Sequence, residues 1–145
     1  SKMYNDDWMR ENRFLVPEKI TIRYVLESKK GVPILVSIDP AATVRRALDL
    51  IGQHNISQLP VLDKGKSVGS IEESDLMSAV LEKPAMFDAP VSSLMKQQFP
   101  NVNMDEQLNS AIGYLTKKHP AVLVEEDGKI IGILTRYDVI EYMSR

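Results

Sequence analysis

The stretch Ile130-Ile131-Gly132-Ile133-Leu134-Thr135-Arg136-Tyr137-Asp138-Val139-Ile140 decides how this chain reads. Its branched apolar run from Ile130 to Leu134 predicts a buried strand. Thr135 predicts a helix N-cap, with Asp138 three residues on, inside the first helical turn. A hydroxyl and a carboxylate thus share one helix N-terminus. Two readings compete for them. In a capping box, Asp138 satisfies backbone N–H groups and complements the helix dipole. In a ligand site, the ionised carboxylate accepts from both hydroxyls of a ribose cis-diol, as the acidic residue of dinucleotide folds does. The strand-turn-helix occurs twice, with Asp75 in the place of Asp138, which favours the ligand site.

Outward from this stretch, one order of elements appears in each half. Thr21-Ile22-Arg23-Tyr24-Val25-Leu26 predicts a capped helical turn or two, Val32 to Ile38 a strand, and Asp39-Pro40 a turn. Thr43 caps a helix whose apolar residues Val44, Ala47, Leu48 and Ile51 recur at helical spacing. A strand from Leu59 to Leu62, a turn at Asp63-Lys64-Gly65-Lys66, a strand from Val68 to Ile71 and a helix from Ser74 to Leu81 complete the unit. In the second half, Val91 to Met95 parallels Ile22 to Leu26, and Phe99 to Asn103 parallels the first strand. Leu108, Ala111, Ile112 and Leu115 carry a helix from Gln107 to Lys118, and Pro120 to Val124 precedes an Asp127-Gly128 hairpin turn. Gly132 and Asp138 answer Gly69 and Asp75. A repeat of roughly 60 residues exceeds solenoid periods and predicts a pseudo-symmetric pair.

Composition narrows the function. The chain has 145 residues, 43% hydrophobic and 26% charged, which is globular material with a core to bury. A net charge of -2 gives no basic footprint, so neither nucleic acid nor an anionic membrane is an expected partner. Without cysteine there is no disulfide, zinc–thiolate site or cysteine nucleophile; a reducing, cytoplasmic location is the expectation. The apolar runs Val32 to Val36 and Ala121 to Val124 fall far short of the roughly 18 residues that span a membrane. No signal peptide is read, and the start at Ser1-Lys2-Met3 suggests a fragment of something longer. Asn5 to Asn12 predicts a short capped helix that must dock on something to fold, and Pro17 breaks the pattern after it.

The tandem pattern Asp39-Pro40-Ala41-Ala42-Thr43-Val44, Leu59-Pro60-Val61-Leu62-Asp63 and Gly69 to Asp75, repeated through Gly132 to Asp138, resembles two CBS domains forming a Bateman module. Tyr4-Asn5-Asp6-Asp7-Trp8-Met9 with Phe14-Leu15 also resembles the segment before the C-terminal regulatory region of bacterial pyridoxal-phosphate-dependent cystathionine beta-synthases. The expected organisation is a linker helix from a preceding catalytic domain at 1–16, CBS domains at 17–83 and 91–145, and an inter-repeat linker at 84–90. The expected fold is α/β, two pseudo-symmetric repeats, each a small three-stranded sheet packed with helices.

The resemblance implies a regulatory module rather than an enzyme. Its effector would be an adenosine ligand, S-adenosylmethionine or AMP, ADP or ATP, with no cofactor of its own and an attached catalytic domain as its target. It also implies a homodimer. Carried over, Thr135 and Asp138 would hold the ribose with Ile133 and Tyr137 beside them. Ile56, Ser57, Gln58 and Leu59 would line the facing wall, and Val32 would close it. In residue type, Ile56, Leu59 and Ile133 suit a purine face and Gln58 its edge; plain core packing is the competing reading for the apolar ones. Arg136 would serve a phosphate tail. The mirror site keeps Asp75 but has Glu72 in place of the threonine. Lys118 and His119 would face it, and it is expected to stay empty or to take a cation rather than an anion. Gly65-Lys66-Ser67 lacks the first glycine of a P-loop, and His54 and His119 have no partner at metal-ligand spacing, so no catalytic or metal residue is assigned. The rival reading is a structural dimerisation or autoinhibitory module that binds no ligand.

Overall fold

The computed structural model describes residues 20–29 and 34–145. The expected linker at 1–16, the short helix expected within it, and Val32 lie outside the described residues. Among the described residues, five helices and five strands follow in order: α1 (Ile22–Glu27), α2 (Val44–His54), β1 (Gln58–Asp63), β2 (Lys66–Glu72), α3 (Glu73–Glu82), β3 (Asn101–Asn103), α4 (Leu108–Leu115), β4 (Ala121–Glu126), β5 (Lys129–Thr135) and α5 (Arg136–Met143). Two 3-10 turns, Pro84–Asp88 and Val91–Ser93, join the halves.

Local chemistry places these elements. The side chains of Thr21, Thr43 and Thr135 accept from Tyr24, Arg46 and Asp138 backbone N–H groups and cap α1, α2 and α5. Both hairpins turn on a residue pair at positive φ, Lys64-Gly65 and Asp127-Gly128. β1 and β2 pair antiparallel, as do β4 and β5, and each ladder shifts register once, after Val61 and after Val124. α4 stops at Leu115, short of the expected Lys118.

The two sheets differ. In the second repeat, β3 runs parallel to β4 and completes a three-stranded sheet. In the first repeat the third strand shrinks to one parallel bridge, Ile38 with Val61, beside a two-stranded sheet. The Asp39-Pro40 turn ends this segment at once, and Ile34 gives its carbonyl to the other repeat, accepting from Ile133 N at 3.2 Å. The expected strand is thus shared between two partners, and neither builds a ladder from it.

Each repeat closes its core with a segment that precedes the other. Ile22, Val25 and Leu26 of α1 are buried with Val122, Val124 and Leu134 of the second repeat. Val91 is buried among Ile38, Val61 and Leu76 of the first, with Leu94 and Met95 packed against that core. Paired backbone bonds fix both dockings. Ile22 N donates to Glu106 O and Leu108 N to Ile20 O; Val44 N donates to Ala89 O and Val91 N to Ala42 O, all at 2.8–2.9 Å. A short helix cannot hold itself in water, and burying residues such as Ile22 or Leu26 contributes about 1.5–3 kcal/mol each.

Gly69 and Gly132 make the close approach possible. A Cβ on Gly132 would stand 2.6 Å from Leu26 Cδ2, and one on Gly69 would stand 2.7 Å from Met95 Sδ and 2.9 Å from the Lys96 carbonyl. The Lys96 backbone cannot retreat without breaking its bonds with Ser70, N to O at 2.7 Å and O from N at 3.0 Å. Gly69→Ala should therefore lower stability by about 1–3 kcal/mol, read as a lower urea midpoint at unchanged slope. An unchanged midpoint would contradict this packing.

Candidate functional site

Between the repeats lies a cleft of about 910 Å³. One wall is the end of α2 and the start of β1, contributing His54, Asn55, Ile56, Ser57 and Gln58. The facing wall is the β5–α5 junction, with Ile133, Thr135, Arg136, Tyr137 and Asp138. Lys29 and Val36 also line it. The volume suits a nucleoside-sized ligand.

The β5–α5 junction is a complete capping box. Thr135 Oγ1 accepts from Asp138 N at 3.1 Å, and Asp138 Oδ2 accepts from Thr135 N at 2.9 Å. A cation completes the arrangement. Lys29 Nζ donates to Asp138 Oδ2 and to the Ile133 carbonyl, each at 3.1 Å. The pair is shielded, with 9% of the Lys29 side chain and 14% of Asp138 exposed. Both donors converge on Oδ2, and among the described residues none is seen on Oδ1.

Ile56, Ser57, Gln58, Ile133, Thr135, Tyr137 and Asp138 thus come together on the two walls. Leu59 points elsewhere: it is fully buried in the first repeat's core, because successive strand residues face opposite ways and half-buried Gln58 takes the cleft side. Val36 lines the cleft where Val32 was expected, and Val32 lies outside the described residues. Arg136 lines it too, but its Nε is committed to the Leu115 carbonyl at 2.7 Å and ties α5 to the end of α4. Gln58 Oε1 accepts from Ser57 Oγ at 2.7 Å, which orients the amide.

The pseudo-equivalent position at α3 differs. Glu72 occupies the N-cap with no side-chain cap bond. Lys96 Nζ lies 2.9 Å from Asp75 Oδ2 and 3.5 Å from Glu72 Oε1, so the cation at this carboxylate pair is an ammonium of the chain itself. Lys118 is exposed, and the His119 ring meets Tyr114 edge-on at 6.1 Å. The bond to Asp75, with the nearby Glu72 charge, raises the Lys96 ammonium above its ordinary value. Among the described residues no group of three histidines, aspartates or glutamates is arranged to hold a metal, and no helix is long and apolar enough to cross a membrane.

Sequence reasoning missed Lys29 and Lys96. Each approaches its carboxylate through the exchanged docking of a lead-in segment, and a Lys29–Asp138 contact 109 residues apart leaves no local spacing signal.

The CBS domain family model matches residues 31–82 and 91–145, and the chain belongs to that family as a tandem pair. It is similar to cystathionine beta-synthase of Dictyostelium discoideum, 26% identical over 100% of this chain and 32% of that protein. It is also similar to inosine-5'-monophosphate dehydrogenase of Aquifex aeolicus, 29% identical over 83% of this chain and 25% of that protein. The chain therefore spans a third or less of these two relatives. Among solved structures, a CBS domain protein, NE2398, superposes with a TM-score of 0.73 at 25% identity, covering 86% of this chain and 98% of that one. CBSX2 in complex with AMP superposes with a TM-score of 0.68 at 27% identity, covering 85% and 95%.

Two outcomes follow from the caps and the lysine pair. Thr135→Ala removes one cap bond and should cost about 1 kcal/mol, seen as a lower thermal midpoint. The Lys96 pair stabilises the fold fully below the ordinary lysine value of 10.5 and loses that contribution as pH rises through the raised folded-state value. Lys96→Met should therefore show a shallower alkaline fall in urea midpoint than the parent; equal slopes would contradict the pairing.

Proposed function

We propose that this CBS pair is a regulatory module that binds an adenosine-containing ligand, S-adenosylmethionine or AMP, ADP or ATP, in the inter-repeat cleft. The observation that carries it is the Thr135–Asp138 junction facing Ile56, Ser57 and Gln58 across a nucleoside-sized cleft. Asp138 is the ribose acceptor, and Ile56 and Ile133 offer apolar surface to a purine. The structural likeness to a CBS protein in complex with AMP supports the ligand class.

The regulated enzyme in this proposal is cystathionine beta-synthase, supported by the match along the whole chain to a protein of that name and by the sequence of the first 16 residues. That context favours S-adenosylmethionine as effector. Control requires the ligand to prefer one arrangement of the repeats over another. The proposal includes cytoplasmic location and a homodimer, with Met77 of α3 and Ile140 of α5, 49% and 63% exposed at equivalent places, as an apolar pairing face.

A second reading has its own observation. Thr135 and Lys29 already satisfy one oxygen of Asp138 within the chain, as in a structural module that binds nothing. Titration calorimetry with S-adenosylmethionine, AMP and ATP separates the two. The ligand reading expects saturable binding of at least one, weakened on the order of 100-fold in a folded Asp138→Ala variant, for two lost bonds to a charged acceptor. Absence of binding at millimolar concentration, or unchanged affinity in the variant, would contradict it.

A further inference from the structure

Hydrogen-bond capacity at Asp138 limits how a ribose can be held. A carboxylate oxygen offers two in-plane lone pairs. Oδ2 uses one on the Thr135 amide at 2.9 Å and the other on the Lys29 ammonium at 3.1 Å. Only Oδ1 is left open to the cleft. A cis-diol gripped by both carboxylate oxygens therefore meets Lys29 where one hydroxyl must go. Nor is the lysine a loose surface partner: its side chain is 9% exposed, it lines the cleft, and its second bond takes the Ile133 carbonyl at 3.1 Å.

We propose that Lys29 sets the affinity of the cleft as a built-in competitor for the ribose position, displaced when a ligand takes both oxygens of Asp138. This inference rests on the reading of the cleft as an adenosine site. Lys29 directly follows Ser28, the C-cap of α1. That turn is held by Ser28 N donating to Tyr24 O at 3.1 Å and Lys29 N donating to Leu26 O at 3.3 Å. Arg145 Nη2 adds a long bond to the Ser28 carbonyl at 3.4 Å. Releasing the ammonium removes the anchor that the turn has on α5 and loosens the end of α1. α1 packs in the core of the second repeat, so occupancy of the cleft acts on the helix that seats the first lead-in segment there. The mirror position holds the same device in an open form, Lys96 on Asp75, with side chains 54% and 39% exposed.

The test titrates adenosine and AMP into the parent chain and into Lys29→Met, which keeps the length of the side chain and removes the ammonium. Adenosine isolates the ribose contact because it carries no charged tail. Lys29→Met should bind adenosine about tenfold more tightly, the equivalent of one charge-assisted bond no longer broken on binding. Backbone hydrogen exchange at Ser28 and Lys29 in the parent should accelerate when AMP saturates the cleft. Equal or weaker adenosine binding by the folded variant, with binding by the parent intact, overturns the competitor role and leaves the ligand assignment standing. Failure of both proteins to bind adenosine or AMP overturns both. If Lys29→Met does not fold, Lys29→Gln takes its place. If neither folds, exchange in the parent decides, and unchanged or slower exchange at the two amides overturns the proposal.

Discussion

The exchange of lead-in segments is the constraint on which the rest of the structure depends. Two reciprocal pairs of backbone bonds, flanking the Thr21–Gln107 and Thr43–Pro90 bridges, seat each segment on the other repeat at the cap of its first long helix. Neither repeat closes its core alone, since Leu26 belongs to the second and Val91 to the first. Cooperativity between the halves follows from that geometry. So does the cleft, because the exchange turns the start of β1 toward the β5–α5 junction and brings Lys29 beneath Asp138. Gly69 and Gly132 are its steric cost: a side chain at either place would collide with the incoming segment.

Electrostatics then makes the two halves unequal. Each carries a carboxylate at a helix N-terminus and a lysine delivered by the exchanged segment. Lys29 and Asp138 are shielded from solvent, so their attraction is little screened and any group that separates them must replace both partners' bonds. Lys96 and Asp75 stand in the open, where solvent screens the pair and leaves it the weaker of the two. Glu72 replaces the capping threonine there, and the capping geometry that fixes Asp138 is missing. One half thus fixes its carboxylate with a threonine cap and a shielded ammonium, and the other leaves its carboxylate to an exposed ammonium alone.

What the sequence made legible was local. The apolar spacing of Val44, Ala47 and Ile51, the threonine caps, both hairpins and the tandem order of elements were readable because each depends on residues a few positions apart. The Thr135–Asp138 box was readable for the same reason: the cap is formed, and the same residues line the cleft. Three features were not readable. The segment before Asp39 has strand composition, yet the second repeat claims its Ile34 carbonyl. Leu59 resembles its neighbours in type, and only strand alternation assigns it to the core. Lys29 looks like one more loop lysine, and its partner lies 109 residues away across the exchange.

The most direct measurement is a nuclear magnetic resonance titration of the chain with AMP and with S-adenosylmethionine, following backbone amides. Saturable shifts are expected at Ile56 to Gln58, at Ile133 to Asp138 and at Ser28 and Lys29, with the Asp75 and Lys96 amides little affected. Shifts that never saturate, or that saturate away from the inter-repeat cleft, would contradict a ligand site there.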